Sequence, residues 1–356
     1  MLKLMRTKLK QLQKDQNGIA SIIIVVVIIL ILTLVVLAMS RNANREQRQA
    51  LDRQLSSAAF YAAESGINDT INYVRGNLTT APKEKTQCDV SGDNRFQDFP
   101  DGKLSDDADG LIQYSCVLYD LDPKTIQVTV DDSSTIIPIQ NSQGSGVSSL
   151  TLEWEQEDSP IDFTGCPDGA NTTIPGSWFS NCDAGMLRIE IIDPNKLSRQ
   201  DLVDNNFTAF VFPTRPGSTN NSIIFPNGKD ANQGVFGYGN CDPNASGAKC
   251  SIRIDSIGLN DDSRLFIRVR SLYKPSNLII SGQNNVVGRD SVEFLNAQVM
   301  IDSTGKANDV LRRLQVRVPV TPKYDIPSFA IQTTDDLCKL IDIYPAKAQD
   351  ADSCNY

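Results

Sequence analysis

Not one of the 356 residues is a histidine. That removes the commonest general base, and with it Ser-His-Asp and Cys-His catalysis. No G-x-S-x-G elbow occurs either. The stretch DSTGKA, residues 302–307, imitates the end of a phosphate-binding loop, but the glycine that should open such a loop is replaced by Met300. With strand patterns on both sides, 302–307 is expected to be a hairpin turn. Among 43 acidic residues no carboxylate pair stands out as catalytic. In DGKLSDDADG, residues 101–110, Asp107 and Asp109 with Asp101 and Asp106 offer hard oxygen ligands, and Asp107 and Asp109 are a calcium candidate. The closing glutamate of a calcium loop is missing, because Cys116 holds its place. A solvated acidic turn is the competing account. The residues therefore predict no enzyme and imply no cofactor.

Eight cysteines remain. With no CxxC pair and no histidine, zinc is not expected. Disulfides are, if the cysteines are exported. Their order suggests local pairs, Cys88 with Cys116, Cys166 with Cys182, Cys241 with Cys250, and Cys338 with Cys354, although sequence alone leaves the connectivity open. The formal charge is −9. Residues 1–18 hold five basic side chains and one acidic, a surplus of four, which leaves −13 on the rest. So acidic a body is a poor general binder of nucleic acid. Arg268 and Arg270 share one strand face, as do Arg313 and Arg317, and on adjacent strands they would form a basic stripe. Pairing with the abundant acids is the alternative.

Whether the cysteines are exported depends on residues 19–39, which carry no charge and are almost wholly Ile, Val and Leu. The run is long enough to cross a bilayer once, and no second stretch is. Lys3, Arg6, Lys8, Lys10 and Lys14 before it predict an N-terminus on the cytoplasmic side, a single pass and an exported body. A removable signal has a shorter apolar core, though Ala38-Met39-Ser40 is a passable cleavage site for one. After the run, residues 41–76 lack proline, and Leu51, Leu55, Ala58, Ala59, Ala62, Ile67, Ile71 and Val74 recur at spacings of three and four. Apolar and amphipathic parts join into one expected helix over 19–75, on the order of 85 Å long.

A basic leader, then Gly18, then a retained apolar helix resembles the signal of type IV prepilins. The resemblance implies cleavage between Gly18 and Ile19 by a membrane peptidase that also methylates the new N-terminus. Glycine would suit an extended backbone at the cut. It also implies packing in a filament core through Ile22, Ile23, Val26, Ile29, Leu30, Leu34 and Leu37. The block Ala59-Phe60-Tyr61-Ala62-Ala63-Glu64-Ser65-Gly66 resembles the AxxAAExG block of PilX-like minor pilins. AQVMIDSTGKANDVLRRLQVRVPV, residues 297–320, looks like the closing hairpin of that family. The segment from Cys338 to Cys354 is similar to the bridged C-terminal loop of type IV pilins. One departure matters: most type IV pilins have glutamate at the fifth mature position, where this chain has Ile23. Some tip subunits share that absence, so the resemblance implies a minor, tip-proximal or assembly-initiating subunit.

The rest of the chain changes to period two. Strands are expected over 112–119, 125–130, 150–154, 187–192, 209–212, 251–257, 265–272, 277–280, 294–301 and 314–320. Long polar connections, 155–186 and 213–250, read as loops for display, with plain insertions of no specific role as the alternative. The expected fold class is α+β: one long N-terminal helix carrying a large, mainly antiparallel β-sheet domain with disulfide-closed loops. Its parts are a leader at 1–18, an apolar half-helix at 19–39 and an amphipathic half at 40–76. A β-rich body follows at 77–327, one domain or two, and then a C-terminal segment at 328–356. Expected partners are the major pilin, other minor pilins, the prepilin peptidase, the assembly platform, the membrane before assembly, and a host-cell or surface ligand. The expected location is the inner membrane and then the extracellular pilus. The alternatives are a single-pass anchored binding protein and a DNA-uptake minor pilin, the second disfavoured by the acidic body.

Overall fold

The structure is a computed structural model. It describes residues 2–88, 93–96, 99–100, 111–131, 133–144, 146–157, 185–196, 198, 207–214, 222–224, 235–242, 249–257, 264–284 and 291–320, without the side chains of 2–20, 94, 235 and 236. Helix α1 (Leu2–Gly76) is followed by β1 (Glu84–Lys85), β2 (Ile112–Asp120), β3 (Thr125–Val130), β4 (Thr135–Ile139), β5 (Ser149–Gln156), β6 (Met186–Ile192) and β7 (Phe207–Thr214). Then come β8 (Ser222–Ile224), β9 (Val235–Asp242), β10 (Lys249–Asp255), β11 (Leu265–Leu272), β12 (Ser276–Gln283), β13 (Gln298–Ala307) and β14 (Val310–Pro319). The architecture is one long N-terminal helix followed by mostly antiparallel sheet. It divides into two compact units, Met1–Pro123 with Gln298–Val320, and a second built on Lys124–Ala297.

In the first unit, the last third of α1 lies on a four-stranded antiparallel sheet of order β1-β2-β13-β14. The helix buries Ala59, Ala62, Ala63, Gly66, Ile67 and Val74, the three-and-four spacing of an apolar stripe. Alternate residues of β13 face it: Val299, Ile301, Ser303, Gly305 and Ala307, all buried. Their sizes taper. Val299 and Ile301 share a core with Ile67 and Val74, Ser303 meets Gly66, and Gly305 meets the helix backbone itself. A Cβ on Gly305 would stand 2.0 Å from the Ala59 carbonyl oxygen and 2.4 Å from the Ala63 nitrogen. A bulge in β2, where Ser115 is passed over in the register between Thr304 and Gly305, brings Tyr114 opposite Gly305. Arg75 at the helix C-terminus donates to the carbonyls of Val320 and Pro319, and Arg312 donates to the Ser56 hydroxyl, so both ends of the contact are tied.

The second unit holds one sheet of order β3-β12-β5-β10-β9-β7-β6-β11-β4, with β8 added beside β10. Its outermost strands, β3 and β4, are joined by only residues 131–134. Four residues reach roughly 15 Å, whereas nine flat strands are roughly 38 Å across. The sheet must therefore curl until its edges approach, and Ser271 N donates to the Asp131 carbonyl at 3.0 Å across that closure. The enclosed core holds Trp154, Phe207, Phe294, Leu152, Ile189 and Ile267, all almost fully buried.

Four expectations need correction. The 213–250 connection contains β8, β9 and the start of β10. It read as loop because of Gly237 and Gly239, but those glycines lie on the inner face of β9, where a Cβ would strike Ile223 and Ile252 at 237 and the Trp154 ring at 239. Residues 302–307 are strand, and the turn falls at Asn308 and Asp309, with Asn308 in the left-handed region. The strand expected from 294 starts at Gln298, since Asn296 has a positive φ. The basic stripe does not form: Arg268 and Arg270 lie on β11 in one sheet, while Arg313 and Arg317 lie on β14 in the other. Arg268 pairs with Glu190 and Arg313 with Asp302.

Gly305→Val would force apart two backbones that have no side chain to yield. We expect it to destabilise the helix–sheet contact by about 3 kcal/mol. Amide exchange of β13 in the full chain should then quicken roughly 100-fold, and unchanged exchange would show that the close approach is not required.

Candidate functional site

The site with the clearest physical demand is the free part of α1. Residues 21–54 are exposed throughout, and the sheet of the first unit begins to cover the helix only at Leu55. Leu51, expected on the buried stripe, is 54% exposed for that reason. Within this span one 18-residue window reaches a mean hydropathy of 3.7 with none of it buried. At 1.5 Å per residue, 19–39 extends about 31 Å, the thickness of a bilayer's hydrocarbon core. The one hydroxyl near its middle is satisfied within the helix, Thr33 Oγ1 donating to the Leu30 carbonyl at 2.8 Å.

Ile22, Ile23, Val26, Ile29, Leu30, Leu34 and Leu37 are each more than half exposed. They fall on one side of a 3.6-residue helix, yet Ile28, Ile31, Leu32 and Val35 on the other side are exposed to a similar degree. The stem is apolar around its whole circumference, so it needs cover on every side, from lipid or from other apolar helices. The structure does not single out the first set.

Gly18 and Ile19 lie inside α1, which is helical from Leu2. The helix was expected from residue 19, and an extended backbone at Gly18 is what the cut itself would require. Glycine costs about 1 kcal/mol relative to alanine within a helix, which makes this the easiest place to unwind.

Two of the suggested cysteine pairs lie among the described residues, and both are bonded: Cys88 with Cys116, and Cys241 with Cys250. Cys241 and Cys250 sit directly opposite each other on β9 and β10 and are completely buried, so this bridge crosses a sheet instead of closing a polar loop. Cys166, Cys182, Cys338 and Cys354 lie outside the described residues, as do Asp107 and Asp109. Among the described residues no group of His, Cys, Asp and Glu is arranged to hold a metal. The first unit also stacks Tyr119 on Phe99, with the Lys85 ammonium 4.3 Å from the Phe99 ring centre. Burial there raises the Tyr119 phenol well above its usual range.

Residues 17–68 match the family model described as PilX N-terminal. The stem is therefore similar to a PilX N-terminal region. Its match runs from the residue before Gly18, through the apolar run, to the Ala59–Gly66 block that seats on β13. The PilX N-terminal match supports a type IV pilus minor pilin, a family of structural subunits. It leaves both sheets outside its span. No curated protein and no solved structure matches the chain. Sequence reasoning found the Ala-rich block but missed its partner, Gly305. The only signal was a lone glycine inside an alternating run, which marks a close backbone approach.

The two bridges should differ in worth. Loop-closure entropy scales with the enclosed length, 28 residues for Cys88–Cys116 and 9 for Cys241–Cys250. Replacing both cysteines by alanine is expected to cost about 3.5 kcal/mol for the first pair and about 2.5 for the second. Denaturant titrations of the two double variants check the order.

Proposed function

We propose that the chain is a minor subunit of a type IV pilus, placed at or near the tip or at the start of assembly, and that its β-rich region carries a surface contact such as adhesion. One observation carries this reading: a stem of PilX type that is apolar on all sides and lacks any carboxylate at the place where shaft subunits supply one. That place holds Ile23, 57% exposed. A subunit without a counter-charge there leaves the amine of a neighbour unanswered, which suits a position that few copies occupy. The leader would keep the N-terminus inside, the peptidase would cut between Gly18 and Ile19, and the apolar stem would exchange lipid for the stems of major and minor pilins.

Mass spectrometry of the protein from sheared pili should find a methylated Ile19 as the first residue, and labelling with antibody should mark filament ends. Gly18→Phe should block processing and hold the protein in the membrane fraction. An intact Met1, a start near Arg41, or absence from pili would instead indicate a single-pass anchored binding protein.

A further inference from the structure

A strand at the border of a sheet leaves one row of backbone N–H and C=O groups for something else to satisfy. In the larger sheet the outermost strands, β3 and β4, approach each other across the closure, and β4 carries Pro138. In the four-stranded sheet the borders are β1, two residues long, and β14, ten residues long. β14 is the one left long and open. The turn at Asn308 and Asp309 makes Ala307 and Val310 a hydrogen-bonded pair, so Val310, Arg312, Leu314, Val316 and Val318 direct their backbone groups at β13. Leu311, Arg313, Gln315, Arg317 and Pro319 direct theirs away from it. Pro319, which has no N–H to leave unpaired, stands in that outward row, as proline in a border strand should.

Arg75 donates to the Pro319 carbonyl at the far end of the row. The backbone groups of Leu311, Arg313 and Gln315 have no partner among the described residues. Devices that blunt such a border are missing here: the register with β13 runs through ten pairs without a bulge, and no proline interrupts β14 before its last residue. Its first two arginines are drawn back into their own unit, Arg313 to Asp302 and Arg312 to Ser56. The apolar layer is open on the same side. Leu314, Val316 and Val318, on the helix face of β14, are only partly buried against the core that Ile71 also joins. Phe60, about one turn after Ser56 and so on the same flank of α1, is 44% exposed.

We infer that β14 is a docking edge for an extended segment of another polypeptide, which lengthens this sheet by one strand. Only a second backbone matches a row of N–H and C=O groups repeating every two residues. The open layers fix the chemistry of that segment: apolar side chains at alternate positions, continuing the row of Leu314, Val316 and Val318, with polar ones between them. The β14 of a second copy does not serve. α1 runs the same way as β14, since Arg312 meets Ser56 and Arg75 meets Pro319. A two-fold antiparallel pair of β14 strands would therefore point the two apolar stems in opposite directions, and no single bilayer or helix bundle would cover both. The inference holds whether the chain is a pilus subunit or an anchored protein.

Amide exchange on the full chain in uncharged detergent micelles tests it, with the capped peptide Glu-Val-Thr-Val-Glu-Val-Thr as probe. Without peptide, the Leu311, Arg313 and Gln315 amides are expected to exchange as fast as those of a loop, and saturating peptide should slow them at least about 10-fold. Methylating the backbone nitrogens of the peptide's Glu and Thr residues, which face β14 when its valines face α1, should abolish the slowing. Gln315→Pro removes an outward N–H that β13 does not use, and it should weaken the peptide at least about 10-fold with an unchanged thermal midpoint. If that variant fails to fold, the methylated peptide on the unaltered chain carries the test. Slow exchange of the three amides without peptide would show the edge already covered, by this chain or by a second copy, and would overturn the proposal. So would no slowing with peptide, equal slowing by the methylated peptide, or indifference to Gln315→Pro in folded protein.

Discussion

The first unit depends on a contact between two backbones. At Gly305 a strand comes so close to α1 that there is no room for even one carbon atom, and at Gly66 the helix gives way in turn, with Ser303 and Tyr114 against it. Nothing larger than alanine fits on the helix between these points, which is why Ala59, Ala62 and Ala63 are buried together. The cost in lost apolar area is made up farther along, where Val299 and Ile301 meet Ile67 and Val74. Both partners thus taper in opposite senses, and the taper fixes the register of helix on sheet: a shift by one helical turn would drive a larger side chain onto Gly305. A block of small residues in the stem and a glycine about 240 residues later are two halves of one steric fit.

The second unit is governed by chain length. A four-residue link between the outermost strands forbids a flat sheet, so one face must become an interior, and that interior must be filled. Trp154 fills much of it, and the space for its ring comes from Gly239. The buried Cys241–Cys250 bridge adjoins this region, with Cys250 in register with Trp154. Curling leaves the other face outward, where Arg188, Glu190, Arg268 and Arg270 of β6 and β11 stand beside an apolar cluster of Ile192 and Phe266.

Periodicity made much of this legible from sequence. β3 and β11 have the expected bounds, and β2, β5 and β6 differ only at their ends, because alternation on a one-sided strand is a strong local signal. β4 escaped because Pro138 interrupts it; proline is tolerated there since β4 is an edge strand. β9 escaped because its glycines make room for distant side chains, Gly237 for Ile223 and Ile252 and Gly239 for Trp154, a fact no local window contains. The AxxAAExG block was visible as a pattern, while its reason was not. The register that sets Glu190 of β6 opposite Arg268 of β11 was likewise hidden, since sequence gives the face of each strand but not which strands are neighbours. The arginines that looked like partners, on β11 and β14, belong to different sheets.

Under the proposed reading the apolar stem raises a different question, that of what would make it leave lipid. Lipid tails are as apolar as Ile and Leu, so moving residues 21–39 from bilayer to helix bundle gains almost no hydrophobic free energy. Uniform exposure around the helix adds no preferred side. Under the proposed reading, the preference for a filament must come from terms outside the apolar run: packing of shape against shape, and charges at the membrane edge. Most of those charges follow the run, Arg41, Arg45 and Arg48 with Glu46 and Asp52 within about three turns. Ile23 removes one of the few polar terms that could have acted inside it. Under that reading a stem of this kind would be held in a filament less firmly than one with a carboxylate, and sparse occupancy would follow from that deficit without any further specialisation of the β-rich region.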